Sequence, residues 1–480
     1  MSRLLTCIIW SLVALSALAA SQDETAAGPA YAKFSLTLAP GWREEAAGPL
    51  YYSETTEEQE QWALPPFFCR TRTGGVDWSE WEVFYPLLDY RRFGTEYRLE
   101  IGQLISFNGG ESPSKEQTRR FTVFPFFFRQ SSSNPDLDYT AVVPFYGHLR
   151  NRLFRDDIQF FLFPLYSETR KKDRVVDNYL YPILDRRHGN QMTGWQVWPL
   201  IGAEHKTPVP ETEQVVPDAE GGHENFFLLW PFYFNNRSGL GTTNASANRT
   251  WVPFFSWTRS PPRDETSYGW PFGYCVIHDR AKDYREYDVL WPLFVQARGS
   301  KTIHRYFPFY SRAHNQDLES DFYAWPIYKF NRLESPPLER RRTRILFFLY
   351  SDTIEENKQT QRNKRVVAFW PFYSYHGDLD GNRQWQALAV LEPFFPNNRS
   401  IRREYSQVWS LWRAERNPHT DASSESLLWN LYRHEEKPHF KKTSLFFGLF
   451  QYQSTPDGGS WRVCYINLGK KPAASVPPSS

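Results

Sequence analysis

The chain has 480 residues, a formal net charge of +2, an aromatic content of 18% and a mean hydropathy of −0.60. The charge is nearly balanced and forms no sustained basic block, so nucleic acid is not expected as a partner. After the N-terminus no apolar run reaches the roughly 18 residues that a membrane-spanning helix needs. Beyond the first 20 residues there are three cysteines, which allow at most one internal disulfide, so disulfides are not expected to be the framework: Cys69, Cys275 and Cys464.

The first 20 residues have the pattern of a secretory signal peptide. Arg3 precedes an apolar run at residues 4–18, and ALAA at residues 17–20 supplies small residues for cleavage. Cys7 lies inside the apolar run and not at its end, so the pattern does not indicate a lipid-anchored N-terminus. We therefore predict export of the chain and removal of residues 1–20.

Residues 21–61 are interpreted as a leader with one or two short strands. YAKFSLTL at residues 31–38 alternates apolar and polar side chains and stops at a Pro-Gly pair, which is typical of a strand. LYY at residues 50–52 is a second candidate. The repeats described next are expected to occupy residues 62–468.

Short apolar units that contain a proline recur through this region, and YDVLWPLFV at residues 287–295 is the clearest of them. Most neighbouring copies are about 16 to 23 residues apart, and self-similarity at a regular interval indicates a repeat architecture. The repeated prolines are Pro66, Pro86, Pro125, Pro144, Pro164, Pro182, Pro199, Pro231, Pro253, Pro271, Pro292, Pro308, Pro326, Pro371 and Pro393. Later copies keep the apolar residues but replace the proline with Phe348, Ser410, Asn430 or Gly448.

Each unit is too short for a helix and is rich in the β-branched and aromatic residues that suit strands. Turn-forming residues such as Gly74-Gly75 and Gly109-Gly110 separate the units and are hairpin signals. The pattern predicts an all-β, antiparallel up-and-down meander of about 20 strands. Each strand would have about 10 to 15 residues, with an apolar middle and polar ends.

The proline is unexpected inside a strand because it cannot donate a hydrogen bond to its neighbour. Its repeated occurrence at one phase indicates a shared structural position, such as a bend or a bulge. An alternative remains open, in which each repeat contains two shorter strands and the proline marks the corner between them.

Two joints between the units are long, at residues 203–225 and 235–249, and are predicted to be surface loops. The first contains several prolines and carboxylates, and the second is rich in Asn, Ser, Thr and Gly. The tail at residues 469–480 is predicted to be disordered.

Two architectures fit these strands. Strands with apolar middles behind a signal peptide favour a large closed β-barrel of the outer-membrane type, because closure removes exposed edges. In the stretch at residues 284–296, Tyr287, Val289 and Trp291 share one apolar face, as a lipid-facing strand would require. The alternative is a soluble β-repeat sheet, sandwich or propeller.

The sequence contains no convincing catalytic or metal motif. HEEKPH at residues 434–439 has its histidines five positions apart and a helix-breaking proline, so it is interpreted as a turn. DLDGN at residues 378–382 begins like a calcium loop, but Arg383 and Ala389 occupy the positions of the required Gly and Glu. We expect a non-enzymatic protein without a cofactor or a bound metal.

The tandem cores FPLY at residues 163–166, WPLF at 291–294 and FPFY at 307–310 resemble those of largely uncharacterised exported bacterial proteins. The resemblance covers roughly residues 62–450 and implies export and a β-repeat fold, with no activity. The expected function is a structural or transport role in the outer membrane, with outer-membrane lipid as a partner. The alternative is a soluble periplasmic or secreted scaffold or binding module, with carbohydrate as its ligand.

Overall fold

The computed structural model describes residues 25–26, 30–111, 117–208, 221–456 and 458–468. The predicted signal peptide and C-terminal tail lie outside these residues. Within them, no helix has the length and apolar character needed to cross a membrane.

The predicted all-β antiparallel meander is confirmed. The described residues form one sheet of 44 strands, and each strand pairs antiparallel with the next in the chain. The first half consists of β1 Thr25–Ala26, β2 Ala32–Ser35, β3 Gly41–Ala46, β4 Tyr51–Thr56, β5 Gln59–Leu64, β6 Phe68–Thr73, β7 Trp78–Val83, β8 Leu88–Phe93, β9 Glu96–Ile101, β10 Ile105–Glu111, β11 Gln117–Val123, β12 Phe127–Ser132, β13 Tyr139–Val142, β14 Tyr146–Arg152, β15 Arg155–Phe161, β16 Tyr166–Lys171, β17 Arg174–Tyr179, β18 Leu184–Gly189, β19 Met192–Val197, β20 Ile201–Lys206, β21 Gly222–Leu228 and β22 Tyr233–Leu240.

The second half consists of β23 Ser246–Trp251, β24 Phe255–Arg259, β25 Arg263–Tyr268, β26 Tyr274–Asp279, β27 Tyr284–Val289, β28 Phe294–Arg298, β29 Thr302–Tyr306, β30 Tyr310–His314, β31 Leu318–Tyr323, β32 Tyr328–Ser335, β33 Leu338–Ile345, β34 Tyr350–Asn357, β35 Arg362–Phe369, β36 Tyr373–Gly377, β37 Arg383–Ala387, β38 Trp412–Asn417, β39 Ala422–Leu427, β40 Tyr432–Lys437, β41 Phe440–Leu445, β42 Phe450–Thr455, β43 Gly458–Val463 and β44 Ile466–Leu468. Short 3-10 turns lie at Gly48–Leu50 and Pro135–Leu137. The sheet thus begins before Trp62.

The prediction of about 20 strands with 10 to 15 residues is wrong, because each repeat contains two strands and most strands have five to eight residues. Residues 284–296, interpreted as one strand, fall in β27 and β28 with a turn at residues 290–293 between them. The apolar cores therefore lie at the ends of the strands and not at their middles. The alternative with two shorter strands per repeat is the correct one.

The repeated prolines mark the corners of hairpins. Except for Pro393, each lies in the turn after an odd-numbered strand and follows a cis peptide bond. In the turn between β27 and β28, the Leu293 N–H donates to the Leu290 carbonyl at 2.8 Å, which places Pro292 at the third position of a type VI turn. The proline thus sits outside the strand ladder, where its missing N–H removes no ladder bond. Pro393 lies in the longer connection between β37 and β38.

Neighbouring turns are joined to one another. The Trp325 N–H donates to the Pro308 carbonyl of the preceding turn at 2.7 Å. Aromatic rings that precede the prolines also pack together, with ring centroids 5.5 Å apart for Phe307 and Trp325 and 5.7 Å apart for Trp198 and Trp230. The turns therefore form a continuous edge of the sheet.

Strands occupy much of the two predicted loops. The first loop, at 203–225, includes the end of β20 and the start of β21, and residues 209–220 lie outside the described part of the chain. The second, at 235–249, is shortened to a turn at residues 241–245 between β22 and β23. Most residues of these strand segments are polar or small, so they lack the alternating apolar pattern that predicts a strand.

Buried apolar residues gather in small clusters at three places along the sheet. The largest of the described clusters joins five residues of β12–β15: Phe128, Tyr139, Ala141, Leu149 and Phe160. Others lie in β28–β30 and in β4–β6. Stability in such an array comes mainly from contacts between neighbouring strands, as in other repeat proteins.

The two ends of the sheet are in contact through side chains. A helical insert at residues 399–409, between β37 and β38, consists of α-helical Arg399–Ile401, π-helical Arg402–Ser406 and α-helical Gln407–Trp409. It packs on β5 and β6. In the described strands β1 pairs only with β2 and β44 only with β43, so backbone pairing does not close the sheet.

Candidate functional site

The two edges of the sheet differ in chemistry. We call the connections after the odd-numbered strands from β5 to β43 the apolar edge, since they carry Phe, Trp, Tyr, Leu and Pro. Phe126 and Phe309, at their tips, are 63% and 74% exposed. The connections after the even-numbered strands form the polar edge, which is rich in Gly, Asn, Asp, Lys and Pro. Exposed apolar residues at this edge are exceptions, namely Val76, Leu153, Phe154 and Leu379.

The apolar character extends one residue row from the edge onto one face of the sheet, which we call the outer face. Strand register aligns these residues across neighbouring strands, for example Tyr166 with Phe161 and Tyr179. The large exposed side chains of this row include Phe161, Tyr179, Tyr268, Val289, Tyr323 and Phe369. The next outer row mixes aromatic and charged residues, such as Trp81 and Arg70. The exposed apolar band is therefore narrow and lies at the edge.

The opposite face, the inner face, is mostly polar beside the same edge, although it also carries the apolar cluster of β12–β15. Asn178 is aligned with both Ser167 and Asp185, and all three side chains are buried. Ser311 and Ser374 hold equivalent places in later repeats. Because side chains alternate between faces, one strand presents an apolar residue outward and a small polar residue inward.

The structure gathers the repeated prolines, apart from Pro393, along the apolar edge. The proline-free copies at Phe348, Asn430 and Gly448 lie on the same edge. In these copies adjacent residues adopt positive φ, such as 47° at Leu428 and 53° at Trp429. Two different turn conformations thus produce the same aromatic edge.

A second polar cluster, the junction, joins the helical insert to the inner face of the first strands. Arg403 donates to Thr71 of β6 at 2.8 Å and to Glu80 and Glu82 of β7 at 2.6 and 2.8 Å. Tyr85 in the adjacent apolar turn donates its N–H to the Glu404 carboxylate at 3.2 Å. The insert is therefore held by charged hydrogen bonds between distant parts of the chain.

Burial dominates the electrostatics of the junction. It raises the pKa of Glu404 to about 7, and the nearby Glu82 carboxylate adds to this effect. Burial also raises the pKa of Glu82 and of Asp89 above their ordinary values. Although burial opposes its charge, the pKa of Arg403 is raised by the Glu82 and Glu80 carboxylates. Arg403 therefore remains charged between them.

The N-terminal segment at residues 34–38, which we call the N-terminal brace, contacts strands near the C-terminal end of the sheet. Thr37 donates to Ser424 of β39 at 2.7 Å, and the Asn417 side chain donates to the Leu38 carbonyl at 3.3 Å. The Arg433 guanidinium lies 3.5 Å from the centre of the Phe34 ring. An open cavity of about 1220 Å³ adjoins the junction, with Arg43, His376 and Arg403 in its wall.

The junction could not be predicted from the sequence, because its partners are more than 300 positions apart. A sequence feature that indicates an unusual structure here is the loss of the repeat pattern after Pro393. At this place the helical insert replaces a tight turn. The weak motifs considered in the sequence lie elsewhere: His434 in β40 contacts Thr443 at 2.9 Å, and Asp378 accepts the Asn382 N–H at 2.9 Å in a hairpin turn.

No protein-family model matches the chain, and no curated protein matches it. The apolar edge, the polar inner face and the junction are the features from which a function can be argued.

Proposed function

We propose that this chain is an exported, non-enzymatic β-repeat protein that inserts its apolar edge into outer-membrane lipid and has a structural or transport role there. The observation that carries the proposal is the concentration of exposed Phe, Trp and Leu at one edge of the sheet from β5 to β43. Contiguous apolar surface larger than a few hundred Å² is rare on soluble monomers and marks interaction sites. Tyr and Trp side chains are also those that favour the membrane interface.

The height of the apolar band favours shallow insertion. A turn and one residue row extend about 7 to 10 Å along the strand, which matches the depth at which apolar faces enter the headgroup boundary. A six-residue strand rises about 20 Å, or about 15 Å at a tilt near 40°, compared with the roughly 25 Å band of a membrane-spanning barrel. Insertion of the apolar edge into the lipid therefore fits these strand lengths better than a barrel whose individual strands cross the membrane.

We further propose that the sheet closes into a ring through the junction and the N-terminal brace. With 44 strands spaced about 4.8 Å apart, the diameter of a circular ring would be about 65 Å for untilted strands and about 90 Å at a tilt near 40°. The ring would have its polar face inward, where Ser167 and Asn178 lie, and would stand on the lipid by its edge. Negative-stain images of detergent-purified protein test closure, and open arcs would contradict it.

Vesicle flotation tests the lipid interaction. The processed chain should float with vesicles of phosphatidylethanolamine and phosphatidylglycerol. The triple variant Phe126→Asp, Phe145→Asp, Leu200→Asp should bind at least about 100-fold more weakly, since each change removes an apolar group worth about 1.5–3 kcal/mol on burial. The matched control is Val76→Asp, Leu153→Asp, Phe154→Asp, which changes exposed apolar residues at the polar edge.

The outcomes of this test separate the proposal from its rival. Equal loss of flotation in both triple variants, with unchanged circular dichroism, would overturn edge insertion. Recovery of the native protein wholly in the soluble periplasmic or secreted fraction of cells would overturn the outer-membrane location and favour a soluble scaffold.

A second candidate is a soluble carbohydrate-binding module. Trp81, Trp195 and Trp461 are half exposed in the second outer row, away from the apolar edge, and Trp195 is aligned with Arg186. Flat rings with polar neighbours are suited to sugar stacking. Titration of tryptophan fluorescence with oligosaccharides tests this function, and it should give no saturable change if the lipid proposal is correct.

A further inference from the structure

A thiol and two carboxylates converge within the junction. One donor atom each from Cys69 of β6, Glu82 of β7 and Glu404 of the helical insert lies within 4.8 Å of the other two. These residues belong to three separate elements, and all three side chains are buried. The convergence is therefore produced by docking of the insert and not by local sequence.

Two of these carboxylate oxygens have no protein partner. Glu82 Oε2 accepts from Arg403 and Glu404 Oε2 accepts from the Tyr85 N–H, but Oε1 of each is buried without a hydrogen bond. Both side chains are fully buried. A buried unpaired carboxylate oxygen is costly, and each such group calls for an explanation such as an ion.

The local charge is also unbalanced. Glu80, Glu82, Asp89 and Glu404 are close together, and only Arg91 and Arg403 pair with them in the described structure. Ionised, these four carboxylates exceed the two guanidinium groups by two charges. One divalent cation would offset these two charges, and the Cys69 thiolate that forms on binding would leave the cluster with one excess negative charge.

We propose that Cys69, Glu82 and Glu404 form a binding site for a thiophilic divalent cation of the zinc type. Thiolate and carboxylate ligands at about 2.0–2.3 Å are those that zinc takes, whereas calcium and magnesium take oxygen ligands only. Donors around tetrahedral zinc are about 3.6 Å apart, so the atoms need to approach by about 1 Å. With three protein ligands, the fourth position is open to water.

The bound cation would fasten the helical insert to β6 and β7. Glu404 is the only one of the three ligands that belongs to the insert, so coordination links its docking to the metal. Binding would displace the thiol proton of Cys69 to solvent, since a coordinating thiol is deprotonated. This site does not depend on the lipid interaction proposed above.

Cobalt binding to the full processed chain tests the site, in a reducing buffer without chelators. We expect one equivalent of Co²⁺ and a thiolate-to-cobalt charge-transfer band in the near ultraviolet. Cys69→Ser should abolish the band, whereas Cys275→Ser and Cys464→Ser, which change the half-buried and the exposed cysteine, should retain it. Glu404→Gln should weaken binding by about 10- to 100-fold.

A structural readout separates a site from chance binding. Zn²⁺ should protect the insert from tryptic cleavage after Arg399 and Arg402, and a chelator should reverse that protection. Circular dichroism of each variant checks its fold, and Glu404→Gln serves if Cys69→Ser does not fold. Absence of a charge-transfer band in the native chain, or a band that persists in Cys69→Ser, would overturn the proposal.

Discussion

Arg403 donates a hydrogen bond to Glu82 at 2.8 Å across a sequence separation of 321 residues. This bond connects the helical insert near the end of the sheet to its seventh strand. Arg403 also donates hydrogen bonds to Glu80 and Thr71. We therefore expect Arg403 to contribute most to holding the two ends of the sheet together.

Removal of Arg403 should therefore be severe. Arg403→Gln leaves the buried Glu82 carboxylate without its cation and Glu80 with Arg91 alone, and loss of a buried partner typically costs about 3–5 kcal/mol. We expect a loss of that size in the first transition of urea unfolding. Arg416→Gln, which removes a solvent-exposed partner of Asp421, should change stability by less than about 0.5 kcal/mol. Equal effects of the two variants would contradict the role of the junction.

Asp288 should make part of the sheet more stable in acid. Burial, followed by the Glu286 carboxylate, raises its pKa to about 7. The unfolded carboxyl ionises near pH 4. The contribution of Asp288 to the free energy of unfolding is therefore greatest below pH 4, decreases as the pH rises to about 7 and is constant above that. The difference in melting temperature between Asp288→Asn and the native chain should grow with pH over this window in favour of the variant. Parallel curves would refute the assignment.

His376 should make the folded chain less stable in acid. Burial, with help from the Arg402 and Lys364 charges, lowers its pKa to about 4, and its Nε2 atom has no hydrogen-bond partner in the described structure. Its contribution to the free energy of unfolding is greatest above pH 6.5 and is lost as the pH falls to about 4. Between these two pH values only the imidazole of the unfolded chain binds a proton. His376→Gln should flatten this acid-side loss of melting temperature. His188→Gln, at a half-exposed position, is the control and should leave it unchanged.

The buried cluster in β12–β15 should be sensitive to cavities. Leu149 is 2% exposed and packs in this cluster, so Leu149→Ala should cost about 2–5 kcal/mol. Leu153→Ala removes the same atoms at a position that is 55% exposed and should cost little. Urea unfolding followed by tryptophan fluorescence compares them. A similar loss for both would indicate that the cluster contributes nothing beyond the strand ladder.

The strand class and meander could be predicted from the sequence because every repeat carries the same local signal. The number of strands could not, since the apolar residues of WPLF at 291–294 suit the middle of one long strand as well as the turn between two short ones. A period-two pattern on both sides of Pro292 does not distinguish these cases. The turn placement became evident only from the hydrogen bond between Leu293 and Leu290.

The junction lies beyond local prediction for a different reason. Glu80 and Glu82 alternate with Trp81 in a strand, a pattern typical of solvated carboxylates, and nothing near them indicates a distant arginine. In the structure they are buried where Arg403 of the insert contacts them, more than 300 positions away in the chain. Long-range contacts of single residues leave no periodic signal in one sequence.

Tryptophan quenching by brominated lipid tests edge insertion most directly. The tryptophans before the repeated prolines lie at the apolar edge, at Trp198, Trp230, Trp270, Trp291, Trp325 and Trp370. Vesicles with bromine near the headgroups should quench the native chain strongly, and a variant with these six replaced by Phe should lose most of the quenching. Trp78→Phe, next to the polar edge, should leave it unchanged. Quenching that is undiminished by the six replacements would contradict insertion by this edge, since Trp251 and Trp429 are the exposed tryptophans of the described structure that remain beside it to give a residual signal.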